Sequence, residues 1–398
     1  MSPTLKLYDL DAYQSEFEAV VLSCEKADDK KHEGNYIIHL DRTCFFPEEG
    51  GQTPDYGTID NVMVTDVQIR KSDECEIIDH FVEKPIEIGS KVTGRVDFEH
   101  RFDNMQQHSA EHIFSGIVHN DFGLDNVGFH LSDHIVTMDF NGVLTDEQVR
   151  KIEEKVNKVI TSNVEIKVFF PDKEELEKLE YRSKKEIDGA VRIVTIEGVD
   201  VCACCAPHVH RTGEIGLLKV INRQNYKKGV RITIEAGKRA LNSFLYEHDM
   251  LKALADKMTT SISEIPAKFD QLSKENMELG AELKNFKMNQ IRQKIDALPV
   301  DTEYIYFFEK DLDMKSAQYM INLFQEKSSG YCIVLVGEDK DYKVVIGSSQ
   351  KDCLAAFKKL GEYLDIKGGG SLKMAQGKVT DASREKITDA LEQVFNAK

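Results

Sequence analysis

The sequence predicts an α+β protein built from several domains, and its length and two changes in residue pattern support this fold class. The chain has 398 residues, enough for about two to three domains of typical size. β-Branched and alternating residues dominate the first part, helical spacing begins near Asn104, and buried strands alternate with helices after residue 299. Four segments are therefore predicted: a β-barrel-like domain (1–98), an α+β domain with a metal site (99–240), a helical coiled-coil linker (241–298) and a compact α/β domain (299–398).

The composition is that of an ordinary soluble protein, and we expect a cytoplasmic location. Hydrophobic residues make up 41% of the chain and charged residues 30%, and no apolar run reaches the roughly 20 residues that a membrane helix needs. The N-terminus lacks the apolar stretch of a signal peptide. A net charge of −17 argues against broad adhesion to nucleic acid, which depends on cationic contacts to phosphate, although the basic segment 217–240 can override this average locally.

The first two segments differ in their local pattern. Up to residue 98, strand-like runs such as "FEAVVLSCE" and "NYIIHL" are separated by turn-forming "EEGG" and "IGS". A helix carrying "HSAEH" follows, and a second helix is predicted after the capping signal of Thr145, with Glu147 in its first turn. This order predicts strands first and a mixed helix and strand domain after them.

The predicted linker has the apolar spacing of a coiled coil. Ser261 and Glu264 form a capping-box pattern beside Pro266, which suits the first turn of a helix. The polar Asn276 in the seam could fix the register of two helices, in a hairpin or across a homodimer, and simple packing on its own domain is the alternative. The seam consists of Ile265, Phe269, Leu272, Asn276, Leu279, Leu283 and Phe286.

Two histidines four positions apart, His108 and His112, would project from one helical face and suit one metal ion. A second element, "CACCAPHVH", offers Cys204 and His208, so the chain supplies a mixed set of imidazole and thiolate that suits zinc. Cys202 and Cys205 are alternatives to Cys204. Three interpretations compete: a closed structural site, a hydrolytic site that admits water, and a peptidase of the H-x-x-E-H type with Glu111 as general base.

Six motifs in the same order resemble a known family. They are "DRTCFFPEEGGQTPDYG", "QHSAEHIFSG", "VGFHLSDHIVTMDF", "CCAPHVHRTGEIG", "KGVRITIEAG" and "GGGSLKMAQG". Together they resemble the editing and C-terminal portions of alanyl-tRNA synthetase, and hence the freestanding AlaX editing proteins in their long form with a C-terminal DHH-associated domain. The chain departs from the family in one loop, because it has Cys205, Ala206 and Pro207 where the family usually has Gly-Gly-Thr between the cysteine and histidine ligands.

The resemblance implies hydrolysis of the ester in mischarged alanine tRNA, chiefly seryl-tRNA and also glycyl-tRNA, so tRNA is the expected partner. It implies that Thr43 senses the serine hydroxyl, that Gln52 belongs to the editing pocket, and that His108 and Cys204 act in catalysis. It implies a homodimer through the coiled coil or the C-terminal domain. The expected zinc ligands are His108, His112, Cys204 and His208, and the expected substrate contacts are Gly50, Gly51, Arg231, Gly369, Lys373 and Gln376.

Two alternatives to this function stay open beside the peptidase. Threonyl-tRNA synthetase carries a similar histidine and cysteine site, so seryl-tRNA for threonine is a second candidate substrate. A tRNA-binding protein with a purely structural zinc and no turnover is the alternative from a different class.

Overall fold

The computed structural model of the chain describes residues 3–71, 75–183, 190–338 and 340–396. The chain forms two compact units, Met1–Ala253 and Leu254–Lys398. Predicted segments 1–98 and 99–240 both lie in the first unit. Among the described residues, no helix is long and apolar enough to cross a membrane.

The first unit begins with a closed six-stranded barrel, which confirms the β-barrel-like domain predicted from the alternating pattern. Strand order around the barrel is β2-β3-β7-β6-β5-β8, while β1 and β4 form a separate parallel pair. Alternate residues of β2, such as Phe17, Ala19 and Val21, fill the interior. The strands are β1 (Leu5–Lys6), β2 (Glu16–Lys26), β3 (Tyr36–Leu40), β4 (Arg42–Thr43), β5 (Gly57–Ile59), β6 (Val62–Lys71), β7 (Glu76–Val82) and β8 (Lys91–Val96).

The rest of this unit is built around one long buried helix, α1 (Phe98–Phe122). Asp97 caps its start by accepting a hydrogen bond from His100 N, and Gly123 ends it in the left-handed conformation (φ 63°). The following elements are β9 (Asn126–Leu131), β10 (Val136–Phe140), α2 (Asp146–Thr161), β11 (Ile166–Phe169), α3 (Lys173–Lys178), β12 (Ile193–Ile196), β13 (Asp200–Ala203), β14 (Leu218–Tyr226), β15 (Gly229–Ala236) and α4 (Gly237–Met258).

Two antiparallel sheets accompany these helices, in the orders β14-β15-β10-β9 and β11-β12-β13. Side chains of α1 and α2, such as Phe114 and Ile152, share one hydrophobic core with the four-stranded sheet. Thr145 caps α2 as the sequence predicts, and Gln148 completes the capping box by accepting from Thr145 N. The core therefore fixes α1, which carries "HSAEH", against the sheet.

A buried ion pair joins α1 to the barrel side of the unit. The side chains of Arg101 and Asp55 are 0% and 1% exposed, and Arg101 Nε donates to Asp55 Oδ1 over 2.9 Å. The same guanidinium donates to the carbonyl oxygens of Ala12 (3.0 Å) and Cys44 (2.5 Å), and Asp55 Oδ2 accepts from Phe46 N (2.6 Å). All of these groups are satisfied, so the pair holds three chain segments in fixed positions.

The second unit is an α/β domain preceded by a long helix. Its five-stranded sheet has the order β16-β17-β18-β20-β19, with β16 and β17 parallel and the other neighbours antiparallel. Asp313, Asp352 and Ser383 cap its three shorter helices. The elements are α5 (Ile265–Asp296), β16 (Tyr304–Glu309), α6 (Met314–Lys327), β17 (Tyr331–Glu338), β18 (Asp341–Gly347), α7 (Cys353–Leu360), β19 (Ile366–Gly370), β20 (Met374–Thr380) and α8 (Arg384–Phe395).

Helix α5 covers the seam predicted for a coiled coil. Pro266 lies in its first turn as expected, but the predicted capping box is wrong, because Ser261 makes no capping bond and instead begins a 3₁₀ turn while donating to Glu264 Oε2 (3.0 Å). Five apolar seam side chains are exposed: Phe269, Leu272, Leu279, Leu283 and Phe286. The coiled coil stays a prediction.

We predict that Arg101→Met destabilises the first unit by about 3–5 kcal/mol, because it leaves the Asp55 carboxylate buried without its charged partner. The measurement is urea unfolding followed by circular dichroism, with the free energy extrapolated to water. Arg95→Ala is the matched control, since Arg95 pairs with Glu16 (3.0 Å) at the exposed surface and should contribute less than about 1 kcal/mol. Equal losses for the two variants would contradict the role assigned to the buried pair.

Candidate metal centre and adjoining cavity

Three histidines and one cysteine meet where α1 faces the loop that follows β13. His108 and His112 are one turn apart on α1, so their rings project from the same face. Cys204 and His208 come from the loop, and the four ligand-type nitrogen and sulfur atoms all lie within 4.8 Å of one another. The structure thus brings together two elements of the sequence in which His108 and Cys204 are 96 positions apart.

Each histidine of this cluster has a partner on its Nδ1 atom. The opposite ring nitrogens face the cluster, and the Nε2 atoms of His108 and His208 lie 3.5 and 3.4 Å from Cys204 Sγ. Metal-binding histidines are commonly oriented in this way by a partner on the other ring nitrogen. The three pairs are His108 with Gln52 Oε1 (2.8 Å), His112 with Asp200 Oδ2 (2.9 Å) and His208 with Ser109 Oγ (3.0 Å).

The electrostatics favour a thiolate at the centre of the cluster. Burial alone would raise the pKa of Cys204, but His108 beside it holds this pKa well below the usual thiol range. Burial lowers the pKa of His208 to about 3, so that ring is neutral. Burial also opposes a charged His112, yet the nearby thiols and Asp200 raise its pKa overall. The raised pKa means that the free protein keeps a proton on the His112 ring, and binding of a divalent cation would displace that proton.

Two arginines hold the loop and the orienting carboxylate in place. Arg182 binds Asp200 through two hydrogen bonds of 2.7 and 2.9 Å, so this carboxylate serves both Arg182 and His112. Arg192 Nη1 donates to the carbonyl oxygens of Cys204 (3.0 Å) and Ala206 (2.8 Å). Charge-assisted hydrogen bonds therefore hold both the Asp200 carboxylate and the loop that carries Cys204.

A cavity of about 770 Å³ adjoins the cluster and is lined by His108, His112 and Cys204. Its size falls within the roughly 300–1,000 Å³ of pockets that take whole small-molecule ligands. The remaining lining combines apolar residues with charged ones and includes Tyr8. The charged members are Lys6, Asp9, Glu49, Lys71, Glu76 and Arg192.

Gly50 and Gly51 form a tight turn at the cavity wall. Both have positive φ angles, 66° and 88°. A Cβ atom on Gly51 would lie 2.4 Å from the carbonyl oxygen of Phe129, and one on Gly50 would lie 3.3 Å from Cys205 Sγ. The turn therefore needs glycine for its conformation and, at Gly51, also for space.

Thr43, Gln52 and Arg231, which the sequence assigns to the site, are not among the residues that line the cavity. Thr43 is fully buried, and its hydroxyl bonds His80 Nε2 (2.8 Å) and accepts from Phe45 N (3.0 Å). A contact between Thr43 and a ligand in the cavity would require the bond to His80 to break. Arg231 is committed to a bidentate pair with Asp139 (2.6 and 2.7 Å).

The other predicted contacts lie in the second unit. Gly369 and Gln376 pair across β19 and β20, and Lys373 lies in the turn between these strands. Strand β19 is an edge strand, and a Cβ atom on Gly369 would meet no atom within 4 Å. The backbone of this hairpin is therefore open to close approach.

The three neighbouring cysteines differ in their surroundings. Cys204 belongs to the four-residue cluster, whereas Cys202 groups with His112 and Asp200. Burial raises the pKa of Cys202 to about 11 and raises that of Cys205 further. Cys204 is thus the thiol whose surroundings favour the anionic form.

Glu111, the base of the peptidase interpretation, belongs to a buried polar network. Its Oε1 accepts hydrogen bonds from Ser115 Oγ and Asn126 Nδ2, each 2.6 Å long. Its other oxygen lies 4.0 Å from His112 Nε2. These contacts fit a structural residue of α1 better than a base that faces substrate.

Sequence reasoning missed the residues that orient the ligands, namely Ser109, Asp200, Arg182 and Arg192. Ser109 directly follows His108 and Asp200 lies four positions before Cys204, so a search for hydrogen-bonding side chains close to the ligands in sequence would have found them. The two arginines carry no such signal, because their role depends on the path of the loop.

Comparison with known proteins agrees with this geometry. Residues 191–232, which contain Cys204 and His208, match the family described as "Threonyl and Alanyl tRNA synthetase second additional domain". The chain is 29% identical to the alanyl-tRNA editing protein Aarsd1 of Mus musculus, over 97% of this chain and 96% of that protein. It is 28% identical to the alanyl-tRNA editing protein AlaX-L of Pyrococcus horikoshii, over 98% of each.

The chain is a homologue of the alanyl-tRNA editing proteins. The resemblance indicated by the motifs is thereby confirmed. Along with these editing proteins, an alanine–tRNA ligase of Ignicoccus hospitalis is 29% identical over 98% of this chain and 42% of the ligase. The similarity to the editing proteins extends through both units.

We predict that Cys204→Ala lowers the metal content of the purified protein to a small fraction of the wild-type value, because a neutral methyl group replaces the thiolate that faces two imidazoles. Metal per chain is measured by mass spectrometry after dialysis. Cys205→Ala is the matched control and should keep the metal, since Cys205 is outside the cluster. The reverse result would show that the loop uses Cys205 as its ligand.

Proposed function

We propose that the protein is an aminoacyl-tRNA deacylase that edits mischarged alanine tRNA in trans, acting on seryl-tRNA and also on glycyl-tRNA. The observation that carries the proposal is the cluster of His108, His112, Cys204 and His208 beside a ligand-sized cavity, in a chain homologous to alanyl-tRNA editing proteins. A deacylase needs a site that receives the aminoacyl end and holds a polar centre next to the ester.

Zinc is the metal that we propose for the cluster. One thiolate and three imidazoles, each imidazole oriented through Nδ1, form a donor set typical of zinc. Bound there, zinc would supply a positive centre that attracts and orients the polar groups of the aminoacyl end.

Gln52 is the proposed donor to the ester carbonyl. Its side chain is 1% exposed, its Oε1 is held by His108, and its Nε2 has no hydrogen-bond partner among the described residues. A buried amide donor without a partner costs free energy in the free protein and gains a bond when an oxygen arrives. Because negative charge develops on the carbonyl oxygen during hydrolysis, a fixed donor at this position lowers the barrier.

Selectivity against the alanyl ester is the harder part of the task. A synthetase site sized for alanine cannot strongly exclude a near-isostere such as serine, so a second hydrolytic site is useful. A site built to hydrogen-bond a hydroxyl can reject the analogue that lacks it by roughly 10⁴-fold. From the family resemblance we propose Thr43 for this task. Its hydroxyl would then break its bond to His80 and form one to the serine hydroxyl of the substrate.

The second unit is proposed to contact the tRNA outside its acceptor end. The hairpin of Gly369, Lys373 and Gln376 supports this, since it offers an open backbone and a lysine at a sheet edge. We also propose a homodimer through α5 or this unit, because the apolar seam side chains of α5 are exposed and could pack against a second copy.

We predict that the purified protein removes serine from alanine tRNA and spares the alanyl ester. The four substrates in the assay are seryl-tRNA and alanyl-tRNA for alanine, seryl-tRNA for threonine, and an unstructured peptide, and release of the labelled amino acid or peptide fragment is measured. Preferred hydrolysis of the threonine tRNA would favour the second substrate, and cleavage of the peptide would favour the peptidase.

The control in this assay is a pair of histidine variants on one helix. His108→Ala should abolish deacylation, because it removes both a cluster member and the partner of Gln52. His119→Ala should keep the wild-type rate, since His119 is half-exposed and pairs with Asp125 on the surface. If the wild-type protein deacylates none of the esters, the tRNA-binding protein with a structural metal is the better interpretation.

We predict that Glu111→Gln retains at least about one third of the deacylation rate. The amide keeps an oxygen that can accept from Ser115 and Asn126, and the proposed site does not use Glu111 as a base. General acid–base catalysis typically contributes 10²–10⁴-fold, so a loss of that size in a folded, metal-loaded variant would restore Glu111 as the base. Single-turnover rates and metal content are measured on the same preparation.

A further inference from the structure

Tyr8 is a buried residue of the cavity wall whose hydroxyl is unused. It is 2% exposed, lies on the 3₁₀ turn Leu7–Asp9 and packs edge-on against Phe46. Its hydroxyl has no hydrogen-bond partner among the described residues. A buried hydroxyl without a partner costs about 1–3 kcal/mol in protein interiors, so this position is unfavourable in the free protein.

The charges around Tyr8 are balanced by one another. Burial raises the pKa of Tyr8 well above its usual value, and the neighbouring carboxylates raise it further, so the group stays a neutral donor. The cavity's cations and acids pair as Lys6 with Glu76 (2.5 Å), Lys71 with Glu49 and with Glu76 (3.2 Å), and Arg192 with Asp9 (3.3 Å). An uncharged hydroxyl therefore suits this part of the wall better than a phosphate does.

Tyr8 and the metal cluster line the same cavity from different chain segments. Tyr8 lies on the turn Leu7–Asp9, whereas the cluster residues come from α1 and the loop after β13. The ester has to lie at that cluster, beside Gln52. Because the cavity is much larger than an aminoacyl group, the part of the substrate that reaches Tyr8 is the nucleoside to which the amino acid is attached.

We propose that Tyr8 binds the terminal ribose of the tRNA acceptor end, donating a hydrogen bond from its hydroxyl to the ribose hydroxyl that is not esterified. The substrate in this inference rests on the proposed function. Tyr8 is then a positioning residue that holds the ribose while the ester lies at the metal cluster, and it acts equally on seryl and glycyl esters.

The test uses the full-length, metal-loaded protein and two non-hydrolysable probes, 3′-deoxyadenosine carrying either a seryl or a glycyl group through an amide at the 3′ position. Dissociation constants are measured by calorimetry for the wild type, Tyr8→Phe and Tyr342→Phe. Tyr342 is the matched control, because it is a buried tyrosine that packs on Phe308 in the second unit. Melting temperatures without probe are measured in parallel.

Tyr8→Phe should weaken both probes by the same factor of about three to ten, the loss of one neutral hydrogen bond. Its melting temperature without probe should equal or exceed the wild-type value, because the variant removes an unpaired buried hydroxyl. Tyr342→Phe should leave both dissociation constants unchanged.

Three results would overturn the proposal: no binding of either probe by the wild type, equal affinity of the wild type and Tyr8→Phe, or a loss confined to the seryl probe, which would place Tyr8 on the amino acid. A lowered melting temperature of Tyr8→Phe would show that the hydroxyl is bonded in the free protein and would also overturn it. Failure of the proposed function is a separate observation, namely a wild-type protein that binds the probes but leaves seryl-tRNA intact.

Discussion

The buried pair of Arg101 and Asp55 is the constraint on which the geometry of the site depends. Arg101 lies on α1 less than two turns before His108, and Asp55 ends the segment that carries Gly50, Gly51 and Gln52. Taking both charges out of water is costly, and the cost is offset only while every hydrogen bond of the pair is made. The pair therefore leaves little freedom for α1, which carries two residues of the cluster, to shift against the segment that carries the glycine turn.

The cluster itself depends on hydrogen bonds outside the four ligand residues. Gln52, Asp200 and Ser109 come from three different segments, yet each bonds the Nδ1 atom of one imidazole and so orients its ring. Gln52 has a double role, because the oxygen that orients His108 leaves its amide nitrogen facing away from that ring. The proposed metal site and the proposed donor to the ester carbonyl thereby share one side chain.

The sequence predicted the barrel and the four residues that the structure brings into one cluster, because alternation along strands, spacing on a helix and a nearby pair of cysteine and histidine are local signals. It was less reliable where tertiary contacts decide the outcome. Thr43 follows the motif of the family, but it is buried where β4 pairs with β1. Its hydroxyl is hydrogen-bonded to His80, which lies far away in sequence on β7. The capping pattern at Ser261 matched in letters only, since the chain forms a 3₁₀ turn there before α5 begins.

The balance of charge around the cavity bears on how a strongly acidic protein can recognise a nucleic acid. Cations that are already paired with carboxylates gain little from a phosphate, because binding it means giving up or sharing an existing partner. Hydrogen-bond donors that have no partner among the described residues, such as Gln52 Nε2 and Tyr8, carry no such cost. We therefore propose that the aminoacylated end is selected by hydrogen bonding and shape, while attraction for the phosphate backbone comes from other surfaces of the chain.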